Sequence, residues 1–150
     1  MTALDHRGRP RVAITGLGVK APGGLDVESF WSTLVTGRGL AGPITRFDPT
    51  GQSVRIGCEV AGFDPVAYAG PKESRRMDRA TQLGFAAAMD AAAHASIGGA
   101  VEPSRAAVIA GTGVGGLMTM EEQVNLLRDR GADRVSPFLV PMMMANATAG

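Results

Sequence analysis

The chain has 150 residues, a formal net charge of +1, and 45% hydrophobic and 19% charged residues. This length allows one domain with a hydrophobic core, and the near-neutral charge excludes a global field that would attract nucleic acid or an anionic membrane. Aromatic residues make up 5% of the chain and glycine occurs 21 times, which favours closely packed helices and tight turns over a β-sandwich.

The N-terminus and the cysteine content indicate a cytoplasmic protein. Residues 1–10 are polar and basic without an apolar core, so they predict a tail and not a secretory signal. The apolar runs are too short to span a bilayer. A single cysteine, Cys58, excludes an internal disulfide and fits a reducing compartment.

We place the domain at residues 11–150. The sequence of its first half predicts two strands with one helix between them. Arg11–Gly18 is typical of a buried strand that enters a glycine turn. Asp26 is a predicted N-cap for a helix from Val27 to Thr36, which Gly37 ends. After a turn-rich stretch, Val54–Val60 predicts the second strand.

The second half predicts longer helices. Glu73–Ala95 reads as a short helical piece and then a long helix, alanine-rich on both sides and therefore expected to be buried nearly all round. Arg105–Ala110 predicts a third strand and Leu117–Arg130 an amphipathic helix. Ser136–Pro141, held between two prolines, is expected to be extended, and Met142–Ala149 to begin another helix.

The alternation of strands and helices predicts an α/β layered domain with a mostly parallel sheet and helices on both faces. The last helical pattern runs to Gly150 without a stop signal. We therefore expect the domain to be truncated at its C-terminal end.

A glycine motif follows the third predicted strand. Gly111, Gly113 and Gly116 match the spacing of a dinucleotide-binding turn. Such a site also needs an acidic residue at the end of the next strand, and the proline-bracketed segment Ser136–Pro141 is a poor central strand. Close packing of glycines between strand and helix is the favoured interpretation, and a nucleotide-binding domain remains an alternative.

Candidate nucleophiles and metal ligands are few. Cys58 lies in a predicted strand with no glycine elbow or neighbouring histidine, which favours a small buried thiol. His6 and His94 are scattered, so no metal-ligand spacing exists and we predict no metal site. The stretch Lys72–Arg79 has four basic and two acidic residues, which fits either a solvated helix start or a docking patch for an acidic partner.

Several segments together resemble the N-terminal half of β-ketoacyl synthases of the thiolase-like superfamily, in particular type II elongating 3-oxoacyl-[acyl-carrier-protein] synthases and aromatic-polyketide ketosynthases. The resemblance extends from Arg11 to Gly150. It rests on motifs that occur in the family's order: Arg11–Gly18, Phe30-Trp31 with Leu34 and Gly37, Arg46–Asp48, Phe63-Asp64, Arg75–Asp78, Gly111–Gly116, Ser136–Pro141, Asn146 and Ala149-Gly150.

The resemblance implies a thiolase-like fold and a decarboxylative Claisen condensation in fatty acid or polyketide biosynthesis. In that reaction a cysteine thiolate takes an acyl group from acyl carrier protein and a malonyl carrier thioester attacks it, with two histidines and a lysine assisting. These residues are expected beyond Gly150, so the 150 residues alone are expected to be inactive. No cofactor is implied, because phosphopantetheine arrives on the carrier protein, and the implied assembly is a homodimer or a heterodimer of ketosynthase and chain-length factor.

The resemblance also implies two sets of binding residues. The acyl pocket is implied at Val114 and at Leu139, next to Phe138. The docking positions for acyl carrier protein are Lys72, Arg75, Arg76 and Arg134. Asp133 departs from the pattern, because relatives can have a basic residue there. A fragment of a non-catalytic subunit of the chain-length-factor type remains an alternative to the active synthase.

Overall fold

The computed structural model describes residues 3–99 and 101–150. These residues form α-helices α1 to α5, strands β1 and β2, and two 3₁₀ turns at Pro103–Arg105 and Ala132–Arg134. The helices and strands are α1 (Val27–Val35), β1 (Gly42–Pro43), β2 (Ile56–Gly57), α2 (Val66–Ser74), α3 (Arg79–Ala95), α4 (Leu117–Arg130) and α5 (Leu139–Met143). Within this part of the chain, no helix combines the length and the hydropathy that a membrane crossing requires.

Helix α1 confirms the predicted cap at Asp26. The Ser29 N–H donates to Asp26 Oδ1 at 2.8 Å, and the helix ends at Val35, one residue before the expected end. Thr33 Oγ1 donates to the Gly23 carbonyl at 2.7 Å and so ties α1 to the preceding loop. Trp31 is 64% exposed, so the apolar stripe of this helix is covered only in part.

Helix α3 is the centre of the packed structure, and small residues let backbone approach it closely. A Cβ at Gly16 would lie 2.2 Å from the Ala91 carbonyl oxygen, and a Cβ at Gly84 would lie 2.7 Å from the Thr148 methyl. Ala86 is fully buried. The prediction that this helix is buried nearly all round is wrong, because Met89 is 48% exposed on its outer side.

A buried lysine fastens the N-terminal loop to α2 and α3. Lys20 Nζ donates to Asp90 Oδ2 on α3 and to the Leu25 carbonyl. The same ammonium lies 4.8 Å from the centre of the Tyr68 ring on α2. Tyr68 Oη also donates to Asp90 Oδ2, at 3.3 Å. Because the Lys20 side chain is only 3% exposed, its charge depends on these partners.

The C-terminal segment corrects two predictions. Ser136–Pro141 is not extended, because α5 begins at Leu139, and Met142–Ala149 does not continue as a helix, because α5 ends at Met143. Pro141 is the third residue of α5, where its missing N–H breaks no helical bond. Beyond α5 the chain turns, and the Gly150 N–H donates to the Asn146 carbonyl at 3.1 Å.

The sheet is much smaller than predicted. Strands β1 and β2 pair antiparallel over two residue pairs, Gly42 with Gly57 and Pro43 with Ile56. The described residues contain no parallel ladder, so the predicted strands Arg11–Gly18 and Arg105–Ala110 are wrong as strands within this chain. Among the described residues no neighbouring segment pairs with either of them, and their side chains Val12 and Ile109 are 92% and 94% exposed.

Candidate functional site

The basic residues of the predicted docking patch lie at the bend between α2 and α3. Gly70, with φ of +72°, kinks α2, and Pro71 begins the helical turn that carries Lys72. Gln82 Nε2 on α3 donates to the Ser74 carbonyl at 2.7 Å and to the Met77 carbonyl at 3.2 Å. These bonds hold the bend in place.

Three exposed cations at this bend form what we call the docking segment: Lys72, Arg75 and Arg76. Arg134 is also exposed and lies in the second 3₁₀ turn. Arg79, at the end of the basic stretch, serves the fold instead. It donates to the Val60 carbonyl at 3.2 Å and stacks on Phe63 at 4.7 Å. Burial, with a smaller contribution from Arg46, lowers the pKa of the Arg79 guanidinium from its usual value.

Arg76 joins the docking segment to the predicted acyl pocket. Its guanidinium carbon lies 4.6 Å from the centre of the Phe138 ring, and its Nη1 lies 3.3 Å from Glu73 Oε1. A cation over an exposed aromatic ring is worth about 0.5–1 kcal/mol. The structure therefore brings together Arg76 and Phe138, which the sequence placed in two separate sites.

The predicted pocket residues lie on adjoining segments and remain partly open. Val114 is 65% exposed and Phe138 40% exposed, while Leu139 is half-buried. The loop of Val114 packs on α5, because the Gly116 N–H donates to the Met143 carbonyl at 3.2 Å. A cleft of about 320 Å³ lies beside the docking segment, but neither Val114 nor Leu139 lines it. The acyl pocket therefore stays a prediction.

Asp78 caps two helices with one carboxylate. The Ala80 N–H donates to Asp78 Oδ1 at 2.9 Å at the start of α3. Thr119, in the first turn of α4, donates to Asp78 Oδ2 twice, from N at 2.9 Å and from Oγ1 at 2.8 Å. Asp78 and Thr119 are 4% and 5% exposed. Sequence reasoning missed this site, since the first cap has a local signal but the second joins residues 41 positions apart.

The start of α4 is closed to a phosphate group. A dinucleotide site would present free N–H groups there, but Gly116 N and Thr119 N are already paired, the latter with a carboxylate. A Cβ at Gly116 would lie 2.3 Å from the Met142 carbonyl oxygen. This glycine is therefore needed for close packing, as the favoured interpretation held, although it packs against α5 and not against a strand.

Cys58 is exposed, so the prediction of a buried thiol is wrong. The residue lies next to the short strand β2 and lines a groove of about 980 Å³ that also contacts α4. His94 Nδ1 accepts from the Leu17 N–H at 3.1 Å, and His6 is exposed in the N-terminal turn. In residues 3–99 and 101–150, no three His, Cys, Asp or Glu side chains are placed to hold a metal ion.

The likeness to solved structures defines the class of fold. The chain superimposes on the ishigamide ketosynthase/chain length factor with a TM-score of 0.73 and 28% identity, covering 90% of this chain and 34% of that one. That protein has the thiolase-like ketosynthase fold, so the predicted fold class is confirmed, although the sheet in the described residues has two short strands.

The chain belongs to the β-ketoacyl synthase family, because residues 9–150 match the model of the β-ketoacyl synthase N-terminal domain. It is 40% identical over 143 residues to 3-oxoacyl-[acyl-carrier-protein] synthase 2 of Synechocystis sp., covering 95% of this chain and 34% of that protein. It is 41% identical over 144 residues to the granaticin polyketide putative β-ketoacyl synthase 1 of Streptomyces violaceoruber, covering 93% of this chain and again 34% of the relative. The chain thus spans about a third of the length of these relatives.

Proposed function

We propose that this chain is the part of a β-ketoacyl-[acyl carrier protein] synthase that docks the carrier protein and forms one side of the acyl pocket. The observation that carries the proposal is the contact between Arg76 of the docking segment and Phe138, beside Leu139. The relative from Synechocystis sp. is named for an acyl-carrier-protein substrate. The whole reaction is the decarboxylative condensation of acyl and malonyl carrier thioesters, in fatty acid or polyketide biosynthesis.

The chemistry divides between this chain and the rest of such a synthase. Condensation needs a thiolate nucleophile and donors for the thioester oxyanion, and we assign no catalytic residue within these 150 residues. Cys58 has no hydrogen bond to a histidine among the described residues, and His94 pairs with the Leu17 backbone instead. The contribution of this chain is to bind and orient the carrier, whose phosphopantetheine arm brings the acyl group, with no further cofactor.

The docking step follows from charge. Acyl carrier protein is acidic, and exposed cations at the rim of a site speed encounter more than they add affinity. Each exposed ion pair contributes about 0.2–1 kcal/mol, so the loss of two pairs should weaken carrier binding by roughly 2-fold to 30-fold, and the repulsion that charge reversal adds moves the effect toward the upper end. Because Arg76 is held by Glu73 and Phe138, Lys72 and Arg75 are the cleaner positions for the test.

The test uses a hybrid synthase, in which this chain replaces the matching third of the Synechocystis enzyme. The hybrid should form 3-ketoacyl product, and the chain alone should not. In the hybrid, Lys72→Glu with Arg75→Glu should raise the KM for carrier-bound substrate by about tenfold. The matched control is Arg128→Glu with Arg130→Glu, which makes the same change in charge at exposed positions of α4. Equal effects of the two pairs, or product from the chain alone, would contradict the proposal.

A non-catalytic subunit of the chain-length-factor type is the alternative, and it is not favoured, because the curated relatives are named as synthases. The residue that the gene encodes at the nucleophile position distinguishes the two: a cysteine supports the synthase, and a substituted position supports the alternative.

A further inference from the structure

We infer that Asp78 is a positioning residue, which holds the loop of Val114 at a set distance from the docking segment. The inference rests on the proposed function, because it assigns a role to a residue between the two parts of that site. The two oxygens of the buried Asp78 carboxylate cap α3 and α4 separately.

The position of Asp78 in the chain makes it the shortest link between the two parts. It comes two residues after Arg76, the last residue of the docking segment, and its Oδ1 fixes the first turn of α3. Its Oδ2 fixes Thr119, which follows the loop of Val114, Gly111–Gly116, by three residues; we call this loop the glycine loop. A shift of the docking segment relative to α4 would therefore break charge-assisted hydrogen bonds that water does not reach.

The glycine loop is anchored at its other end as well. Thr112 Oγ1 donates to the Ala145 carbonyl at 3.1 Å, and a Cβ at Gly115 would lie 2.6 Å from the Met143 carbonyl oxygen. Val114 thus lies between a contact with the C-terminal segment and the cap that Asp78 provides. The C-terminal anchor reaches the docking segment through the contact of Phe138 with Arg76, whereas the Asp78 cap reaches it through buried hydrogen bonds to the first turns of α3 and α4.

This placement has a consequence that a purely structural role would not have. A carrier arm of fixed length must deliver the acyl group into the pocket, and a misplacement of about 1 Å can cost roughly 100-fold in rate. The docking cations themselves do not depend on Asp78 for their charge or exposure. Loss of the second cap should therefore lower kcat while the KM for carrier-bound substrate stays nearly unchanged.

The test compares two Asp→Asn substitutions in the hybrid synthase. In Asp78→Asn, the amide oxygen keeps the cap of α3, but the amide nitrogen faces the Thr119 donors. In the matched control, Asp26→Asn, only the oxygen that accepts from Ser29 is used in the cap, so little should change. We expect Asp78→Asn to lower kcat by about tenfold or more and to leave KM within about twofold. A KM that rises as in the docking variants, or a kcat equal to that of Asp26→Asn, would overturn the inference.

A second measurement keeps the inference separate from the proposed function. Amide hydrogen exchange in the 150-residue chain should speed up by about tenfold or more at residues 111–120 in Asp78→Asn, and not in Asp26→Asn. Thr119→Val, which loses only the hydroxyl donor, should give a smaller change in the same residues, and Thr119→Ser should resemble the unaltered chain. Unchanged exchange in both Asp78→Asn and Thr119→Val would overturn the positioning role even if carrier docking is upheld. An unaltered hybrid that neither binds carrier nor forms product would contradict the proposed function instead.

Discussion

Replacing Asp90 with asparagine should be among the most destabilising single changes at a polar residue of this chain. The Lys20 side chain is 3% exposed, whereas the Asp90 side chain is 34% exposed. In Asp90→Asn the buried ammonium loses its counter-charge and is left with neutral partners: the amide oxygen, the Leu25 carbonyl and the Tyr68 ring. In Lys20→Met it is Asp90 that loses its partner. Its side chain is partly exposed, so water can solvate the carboxylate.

The different exposure of Lys20 and Asp90 sets the expected loss of stability in each variant. Removing the partner of a buried charge costs about 3–5 kcal/mol, whereas Lys20→Met should cost about 1–2 kcal/mol, because an apolar side chain of similar length fills the site. For a chain of this size, the loss in Asp90→Asn corresponds to a fall in Tm of about 6–20 °C. The double variant, Lys20→Met with Asp90→Asn, should be more stable than Asp90→Asn alone, since no buried charge remains unpaired.

The pH dependence supplies an independent check. Burial by itself lowers the pKa of Lys20, but the hydrogen bonds and charge interactions with Asp90 and Tyr68 outweigh it and raise the pKa above the usual 10.5. A raised pKa in the folded state stabilises the fold fully below pH 10.5, and this stabilisation is lost as pH rises through the folded-state pKa. The unaltered chain should therefore lose stability above pH 10.5 in a way that Lys20→Met does not.

Urea unfolding followed by circular dichroism measures these free energies at protein concentrations low enough that the midpoint does not depend on concentration. The control is Asp129→Asn, which removes an exposed carboxylate at the end of α4 and should change stability by less than about 0.5 kcal/mol. If Asp90→Asn cost no more than Lys20→Met, or if the double variant were less stable than Asp90→Asn, the assignment of Lys20 as a buried, partner-dependent cation would be refuted.

Three further predictions follow from packing and exposure. Gly116→Ala should destabilise the chain by about 2 kcal/mol or more, since its Cβ would lie 2.3 Å from the Met142 carbonyl oxygen, whereas Gly111→Ala, with no atom within 4 Å, should be nearly neutral in the same urea titration. Cys58 should react with a thiol reagent in the folded chain at a rate close to that after unfolding, and strong protection would contradict its exposure. The isolated chain should self-associate through exposed apolar segments such as Val12 and Ile109, which a concentration-independent monomer in sedimentation would contradict.

Much of the local structure could be predicted from the sequence because its causes are local. The cap at Asp26 and the bounds Leu117–Arg130 of α4 depend on neighbouring residues and a helical period, and both are confirmed. The ordered motifs were specific enough to indicate the family, which the match over residues 9–150 confirms. Local signals failed at Ser136–Pro141, where two prolines indicated extended chain although Pro141 fits the first turn of a helix.

Tertiary structure decided whatever depends on residues that are distant in sequence. A strand is stable only with a neighbour, so the apolar run Arg105–Ala110 could not reveal that the described chain supplies no ladder partner for it. The contact of Arg76 with Phe138 and the double cap at Asp78 join segments that no periodicity connects. The sequence by itself determined the family, the cap at Asp26 and the bounds of α4, and it supplied the cations that we propose for carrier docking. Only the tertiary structure decided which of those cations are exposed and which, like Arg79, are held by the fold. It also decided that the buried Asp78 carboxylate links the docking segment to the glycine loop, because these segments are distant in sequence.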